Sequence, residues 1–268
     1  MLKILFIGDI NGKIARETIK KLLPEIKTKY RPDLVIANAE NAAHGKGVTE
    51  STLQELMSYG IDWFTNGDHA FDKDKFINQV YESELPIIRP ANYSSEAPGK
   101  GYVIIEAKKL RILLINLIGR VFMSMDYDCP FKKINSILEE IALSEKKLSA
   151  IIVDIHAEAT SEKVAMGHYL DGRVSAVVGT HTHVMTADQK ITKNGTAYIT
   201  DVGMVGSDEG VIGVKKENII NTFLTQIKLP HVIPETGKSI LNSVLITIDP
   251  KNKKAIEIKP IIKYTNIK

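Results

Sequence analysis

The chain has 268 residues, of which 44% are hydrophobic and 25% are charged. These values argue against a disordered chain, and the length allows one large domain or two small ones with a sizeable core. The net charge is only +3 and its lysine-rich pieces are dispersed, so we predict no dedicated binding of duplex nucleic acid.

The first third of the chain alternates short apolar runs with segments of helical spacing. The apolar runs predict buried strands of an α/β sheet at residues 2–8, 34–37 and 61–65. Helices are predicted between and after them at residues 14–30, 49–59 and 73–81. We expect Pro24 to break or kink the first helix, Thr49 to cap the second and Gly60 to end it. This alternation is typical of an α/β layered fold.

The rest of the chain mixes neighbouring strands with helices. Strands are predicted at residues 102–106, 111–118, 151–155 and 174–178, helices at 131–148 and 162–170, and hairpins within 190–201 and 239–262. No linker rich in Pro, Gly or Ser and no internal repeat interrupts the pattern. One domain with two sheets over residues 1–268 is therefore the simplest prediction.

Polar residues follow each predicted apolar strand. In chain order they are Asp9, then Glu40 and Asn41, then Asp68 and His69, then His156, and finally His181 and His183. In α/β sheets the loops beyond the carboxyl ends of the strands form the ligand crevice. We therefore expect five loops to converge on one edge of the fold.

The residue types in these loops are those of a metal centre. Three carboxylates and three imidazoles suit Mn, Fe, Co or Zn better than Ca or Mg. His181 and His183 are two residues apart, so both rings can face one site from an extended segment. About seven ligands exceed the needs of one tetrahedral ion but suit two ions that share a carboxylate. Such a pair clamps the oxygens of a phosphoryl displacement and makes hydroxide at neutral pH.

Each of these residues also has an ordinary interpretation by itself. A lone Asp after a strand is usually a helix cap or a turn residue, and a lone His-x-His pair is as often at a surface as at a metal. Asp154 alternates with His156 along its strand and could support it from behind. We predict that His168, at helical spacing, is structural and that His231, between two prolines, lies at the surface.

Several other classes of protein are disfavoured. The single cysteine, Cys129, allows no intrachain disulfide and fits a reducing compartment. The apolar run at the N-terminus is too short for a membrane span and reaches Asp9 without a cleavage site. We thus predict a cytoplasmic protein with no membrane partner. No G-x-S-x-G elbow or G-x-G-x-x-G loop is present. The oligomeric state stays open, a homo-oligomer included.

Several strings closely resemble the bacterial YmdB family of calcineurin-like metallophosphoesterases, in order along nearly the whole chain. They are GDINGKIAR, NAENAAHGKGVT, NGDHAFDK, RPANY, DIHAEATSEK, GTHTHVMTAD and ITDVGM. The GD and GHTH patterns belong to the whole superfamily, whereas the second and fifth strings are much more specific to this family.

The resemblance implies a sandwich of two mixed sheets flanked by helices and a phosphodiesterase acting on cyclic nucleotides such as 2′,3′-cyclic AMP. It implies two transition-metal ions per chain, iron foremost, with Mn, Zn or Co as alternatives. By motif, one ion would be held by Asp9, Glu40, Asn41 and His183. The other would be held by Glu40, Asp68, His156 and His181. His69 would donate a proton to the leaving oxygen, a role that suits imidazole near neutral pH.

Position 68 departs from the family pattern, in which Asn stands where this chain has Asp68. An additional carboxylate makes the centre less positive and should weaken its pull on an anionic phosphate. We therefore expect a lower activity or a shifted metal preference, with the site retained.

The substrate and the class of function are left more open. His44, Lys46 and Arg89 lie in matching strings and are candidates to contact phosphate or nucleobase. For Lys46, a place in a tight exposed turn without any substrate contact is an equally good interpretation. The same centre could serve a phosphomonoesterase or a nuclease, and the chain could also be a nucleotide-binding regulatory protein with little turnover.

Overall fold

Thirteen strands form two sheets in the described part of a computed structural model, residues 1–144 and 147–268. The strands are β1 (Leu2–Ile7), β2 (Asp9–Ile10), β3 (Leu34–Asn38), β4 (Trp63–Thr65), β5 (Tyr102–Ala107), β6 (Leu110–Ile118), β7 (Ala150–His156), β8 (Ala176–Thr180), β9 (Lys190–Ile191), β10 (Ala197–Ile199), β11 (Met204–Ser207), β12 (Gly237–Ile248) and β13 (Ala255–Ile267). The helices are α1 (Gly12–Tyr30), α2 (Glu50–Ser58), α3 (Ile77–Tyr81), α4 (Pro130–Leu143), α5 (Thr160–Tyr169) and α6 (Lys216–Thr225). A 3₁₀ turn, Asp74–Phe76, precedes α3.

Both sheets are mixed. The first has the order β2-β11-β12-β1-β3-β4, with β13 also paired to β12. In it β1, β3 and β4 are parallel, whereas β12 is antiparallel to β1. The second has the order β5-β6-β7-β8-β10-β9, in which β6, β7, β8 and β10 are parallel. Because β1, β3, β4, β7 and β8 each belong to a parallel set, their carboxyl ends meet at one edge of each sheet.

The hydrophobic residues of each strand alternate between two core layers. Ile4 and Phe6 of β1 pack against residues of the second sheet, such as Ile152. Leu5 and Ile7 face the opposite way and pack against α1 and α2. On the far side, α4 and α5 cover the second sheet. The layers therefore run helix, sheet, sheet, helix, which confirms the predicted α/β sandwich of two mixed sheets flanked by helices.

Most predicted elements are present, with differences at their ends. Helix α1 continues through Pro24, contrary to the expected break. Pro24 and Lys20 are both exposed, so the carbonyl that loses its partner can bind water. Thr49 caps α2 as predicted, in a capping box with Thr52.

The predicted helix 131–148 ends at Leu143, and its residues 145–146 lie outside the described part of the chain. The elements β2, β11 and α6 were not predicted. The two strands are short, and α6 buries only Ile219, so its apolar spacing is weak. Among the described helices, none has the length and apolar character that a membrane crossing requires.

Candidate metal centre

The carboxyl ends of strands from both sheets meet at one edge of the sandwich. The first sheet supplies the loops after β1, β3 and β4, and the second supplies the ends of β7 and β8. The residues brought together are Asp9, Glu40, Asn41, Asp68, His69, His156, His181 and His183. The parallel strands of two separate sheets thus place their end residues at a common point.

One group of ligand atoms comes from Glu40, Asp68, His156 and His181, all lying within 4.8 Å of one another. Nε2 of His156 lies 3.1 Å from Oε2 of Glu40 and 3.1 Å from Oδ1 of Asp68. Nδ1 of His181 lies 3.0 Å from the same imidazole nitrogen. Four donor atoms therefore face a single point.

A second group comes from Asp9, Glu40 and His183, again within 4.8 Å. The amide of Asn41 joins it: its Nδ2 lies 3.2 Å from Nε2 of His183 and donates to Oε1 of Glu40 at 2.8 Å. Flipping this amide would exchange its nitrogen and oxygen, so that the oxygen would face the second group. Glu40 belongs to both groups, with one carboxylate oxygen toward each.

The donor set fits metal cations. Oδ1 of Asp9 is fully buried and has no hydrogen-bond partner among the described residues. A buried carboxylate oxygen without a partner is costly unless a cation satisfies it. A Cβ at Gly67 would lie 2.2 Å from Oε2 of Glu40 and 2.3 Å from Nε2 of His156, so this cradle excludes any side chain there. Carboxylates and imidazoles without thiolates suit transition metals.

Each imidazole is oriented by a partner on its other nitrogen. Nδ1 of His156 lies 2.9 Å from the Thr180 hydroxyl, which in turn donates to Asp154 at 2.8 Å. Nδ1 of His183 donates to the Ile212 carbonyl at 2.9 Å. Such contacts select the tautomer and leave the second nitrogen free to bind a metal.

His181 and His69 are oriented in the same way by carboxylates. Nε2 of His181 lies 3.1 Å from Oε2 of Glu158, and Nδ1 of His69 lies 2.9 Å from Oδ2 of Asp72. In His181 the free nitrogen is Nδ1, which faces the first group. In His69 it is Nε2, which lies 4.0 Å from Oδ2 of Asp68.

The carboxyl groups of the centre differ in pKa. Burial raises the pKa of Asp9, despite the opposing effect of His183 and His156. Burial acts in the same direction on Glu40 and Asp68, but the hydrogen bonds and charges of the neighbouring histidines, with His156 foremost, together outweigh it and lower the pKa of both. Burial raises the pKa of Asp154 to about 7. The pKa of each carboxyl group in the centre thus depends on the neighbouring imidazoles and carboxylates.

A cleft of about 560 Å³ opens over this cluster. His44 and Lys46 line it, as does His69. Ile212, Val214, His231 and Ile233 also line it. His231 is exposed as predicted, and it also lies at the cleft.

The structure does not place Arg89 in this cleft. Its guanidinium is almost buried and donates to the carbonyls of Pro90, Ala97 and Pro98. Arg89 therefore has a structural role in place of the expected substrate contact. Its guanidinium links residues 97–98 to Pro90.

Two residues near the centre carried no assignment from the sequence. Asp72 and Glu158 act through one imidazole each; Asp72 lies well beyond the end of β4, whereas Glu158 follows β7 as closely as Glu40 follows β3. The signals for them were the place of Glu158 after a strand and the place of both residues inside strings shared with the family.

A two-sheet sandwich with a carboxylate and imidazole cluster at its strand ends defines the chain as a calcineurin-like metallophosphoesterase fold. Within that class the chain belongs to the family of YmdB-like proteins, whose model matches residues 5–261. The family predicted from the sequence is thus confirmed.

Three relatives illustrate the match. A 2′,3′-cyclic-nucleotide 2′-phosphodiesterase of Bacillus subtilis (strain 168) is 45% identical over 262 residues, 97% of each chain. A crystal structure of a hypothetical protein from Thermus thermophilus has 38% identity and a TM-score of 0.90 over 100% of both chains. The crystal structure of a protein described as a novel phosphatase from Mycoplasma pneumoniae has 36% identity and a TM-score of 0.90, covering 99% of this chain and 94% of that one.

Proposed function

We propose that the chain, as one domain over residues 1–268, is a metal-dependent phosphodiesterase that hydrolyses 2′,3′-cyclic nucleotides in the cytoplasm. The observation that carries this proposal is the place of Glu40 in both ligand groups. A shared carboxylate allows two ions to be held side by side, which is the arrangement used for phosphoryl displacement. The name of the Bacillus subtilis relative supports the choice of substrate.

The residues that would hold the ions follow the two groups. Asp9, Asn41 and His183 would bind one ion, and Asp68, His156 and His181 the other, with Glu40 between them. When bound, such ions act as Lewis acids on phosphate and lower the pKa of water. Iron is the first choice and Mn, Zn or Co are alternatives, since carboxylate and imidazole accept all four.

His69 would act on the leaving group. Its Nδ1 donates to Asp72 at 2.9 Å, so the proton it gives is the second one, which the imidazolium carries on Nε2 beside Asp68 and at the cleft. Imidazole is the side chain most often used to move a proton in catalysis near neutral pH. The ribose oxygen that leaves phosphorus would thereby be protonated.

The remaining contacts would come from the cleft. Lys46 lines the cleft, and its positive charge suits a phosphate oxygen. His44 and the apolar side chains of Ile212 and Ile233 line the same cleft and would contact the nucleoside. A site that combines apolar walls with a few polar groups is typical of small-molecule binding.

The test is hydrolysis of 2′,3′-cyclic AMP, bis-p-nitrophenyl phosphate and p-nitrophenyl phosphate by protein reconstituted with Fe²⁺ or Mn²⁺. We expect turnover of the two diesters and little of the monoester. A preference for the monoester would favour the second candidate, a phosphomonoesterase, which the description of the Mycoplasma pneumoniae relative suggests. Nucleotide binding without turnover would instead favour a regulatory protein.

A further inference from the structure

The turn formed by His181, Thr182 and His183 has an unfavourable backbone conformation. The φ angles of His181 and His183 are 104° and 65°, in the left-handed region that residues with a side chain rarely adopt. Such a conformation persists only where the surrounding structure holds it, and it is most frequent at functional sites. Contacts from neighbouring residues must therefore hold this turn.

Thr182 is tied to the carboxylate of Asp201 by two hydrogen bonds. Oδ2 of Asp201 accepts from the Thr182 backbone N–H at 3.1 Å and from its hydroxyl at 2.8 Å. Oδ1 accepts from the backbone N–H of Gly203 at 2.7 Å. Because Thr182 lies between the two histidines, fixing it constrains both of their backbones.

The Asp201 carboxylate is in turn paired with a buried lysine. Nζ of Lys163, on α5, donates to Oδ2 of Asp201 at 2.7 Å. Both residues have 0% exposure, and neither lines the cleft. The lysine stem passes beside Gly179, where a Cβ would lie 3.0 Å from Cδ of Lys163 and 1.7 Å from the Thr200 carbonyl oxygen. Only glycine at position 179 leaves room for this approach.

A buried ion pair adds little to stability by itself, because removing two charges from water is costly. Here, however, one carboxylate oxygen accepts three hydrogen bonds, two of them from the residue between His181 and His183. The pair thus connects α5 to the turn that presents two imidazoles. A purely structural link between α5 and the segment after β10 would not need Thr182.

We propose that Lys163 and Asp201 are positioning residues that hold the His181–Thr182–His183 turn in its metal-binding conformation. The proposal rests on the metal centre described under the proposed function. Neither residue lines the cleft; the lysine donates to the carboxylate and orients it, and the carboxylate holds Thr182. Loosening this contact lets the turn relax toward ordinary φ angles, which moves each of the two imidazoles away from its own ligand group.

The experiment measures Co²⁺ binding by titration calorimetry and by the visible absorption spectrum of the bound ion. The variants are Thr182→Val, Thr182→Ser and the neutral pair Lys163→Met with Asp201→Asn. A matched control is Thr18→Val, since Thr18 is also buried and its hydroxyl also bonds across two elements, to Ser239 at 2.6 Å. Each protein is also unfolded thermally without metal.

We expect the neutral pair and Thr182→Val to bind Co²⁺ about tenfold or more weakly, with an altered spectrum. Thr182→Ser, which keeps the hydroxyl, should have the Co²⁺ affinity and spectrum of the wild type. Thr18→Val should also bind Co²⁺ as the wild type does, even if it lowers the unfolding temperature as much as Thr182→Val does. If the neutral pair does not fold, the two Thr182 variants decide. If Thr182→Val binds Co²⁺ with the affinity and spectrum of the wild type, the positioning role is overturned and the metal centre is not. If the wild type itself binds no Co²⁺, both the metal centre and the positioning role are overturned.

Discussion

The carboxylate of Glu158 lies 3.1 Å from Nε2 of His181, on the side of the ring opposite to the metal-ligand cluster. The other ring nitrogen, Nδ1, faces Asp68 and His156. A proton shared between Nε2 and Glu158 leaves Nδ1 unprotonated, which is the form that binds a metal. The half-exposed Glu158 therefore acts on the centre without being one of its ligands.

Replacing Glu158 tests this arrangement. Glu158→Ala should weaken Mn²⁺ or Co²⁺ binding about tenfold, because His181 loses the partner that selects its tautomer. Glu158→Gln, whose amide oxygen can still accept a hydrogen bond from Nε2–H of His181, should lose less. Titration calorimetry measures both, with the exposed Glu139→Ala on α4 as a control that should bind metal normally. Equal affinities in Glu158→Ala and the control would contradict the assignment.

Asp68→Asn restores the residue of the family pattern and removes one negative charge from the centre. Asp68 contacts both His156 and His181, so its charge acts directly on the first ligand group. We expect faster diester hydrolysis and a changed preference among Fe²⁺, Mn²⁺ and Zn²⁺. A tenfold gain would correspond to about 1.4 kcal/mol of barrier. An unchanged rate and an unchanged order of metals would show that the additional carboxylate has no effect.

His69→Ala should separate proton donation from metal binding. The rate with 2′,3′-cyclic AMP should fall by about 10²-fold or more, because its ribose oxygen needs a proton to leave. The rate with bis-p-nitrophenyl phosphate should fall far less, since p-nitrophenolate leaves without one. Metal content should stay unchanged. The control is Asp72→Asn, which keeps the imidazole but weakens its orientation at Nδ1, so an intermediate loss is expected. Equal losses on both substrates would argue against a proton donor.

Asp9→Asn should alter stability in opposite directions with and without metal. Burial raises the pKa of Asp9, so its ionisation in the folded protein costs stability as the pH rises above the unfolded value of about 4. The metal-free variant should therefore gain in unfolding temperature relative to the wild type as the pH increases from 4 toward 7.

The same variant should lose the stabilisation that metal provides. A ligand at 100 times its Kd adds about 2.7 kcal/mol to the wild type, and Asp9→Asn should gain much less from added Mn²⁺. Thermal unfolding over a pH series with Mn²⁺ or chelator measures both effects. A variant that is stabilised by Mn²⁺ as strongly as the wild type would remove Asp9 from the ligand set.

The amino-acid sequence by itself determined the strands and the residues at their ends. Runs such as residues 2–8 are apolar apart from Lys3 and favour a buried strand, which places the next polar residue, Asp9, at a strand end. This reasoning depends only on local sequence and chain direction. It therefore located the candidate ligands, from Asp9 to His183, before any contact was known.

Only the tertiary structure decided how those ends meet and which side chains support them. Pairing of β12 with β1 joins residues more than two hundred positions apart, and the packing of the two sheets brings His156 against Glu40. The same packing turned Arg89 inward and paired Lys163 with Asp201. Such contacts depend on distances between elements that are remote in sequence, and a local pattern of polar and apolar residues carries no information about them.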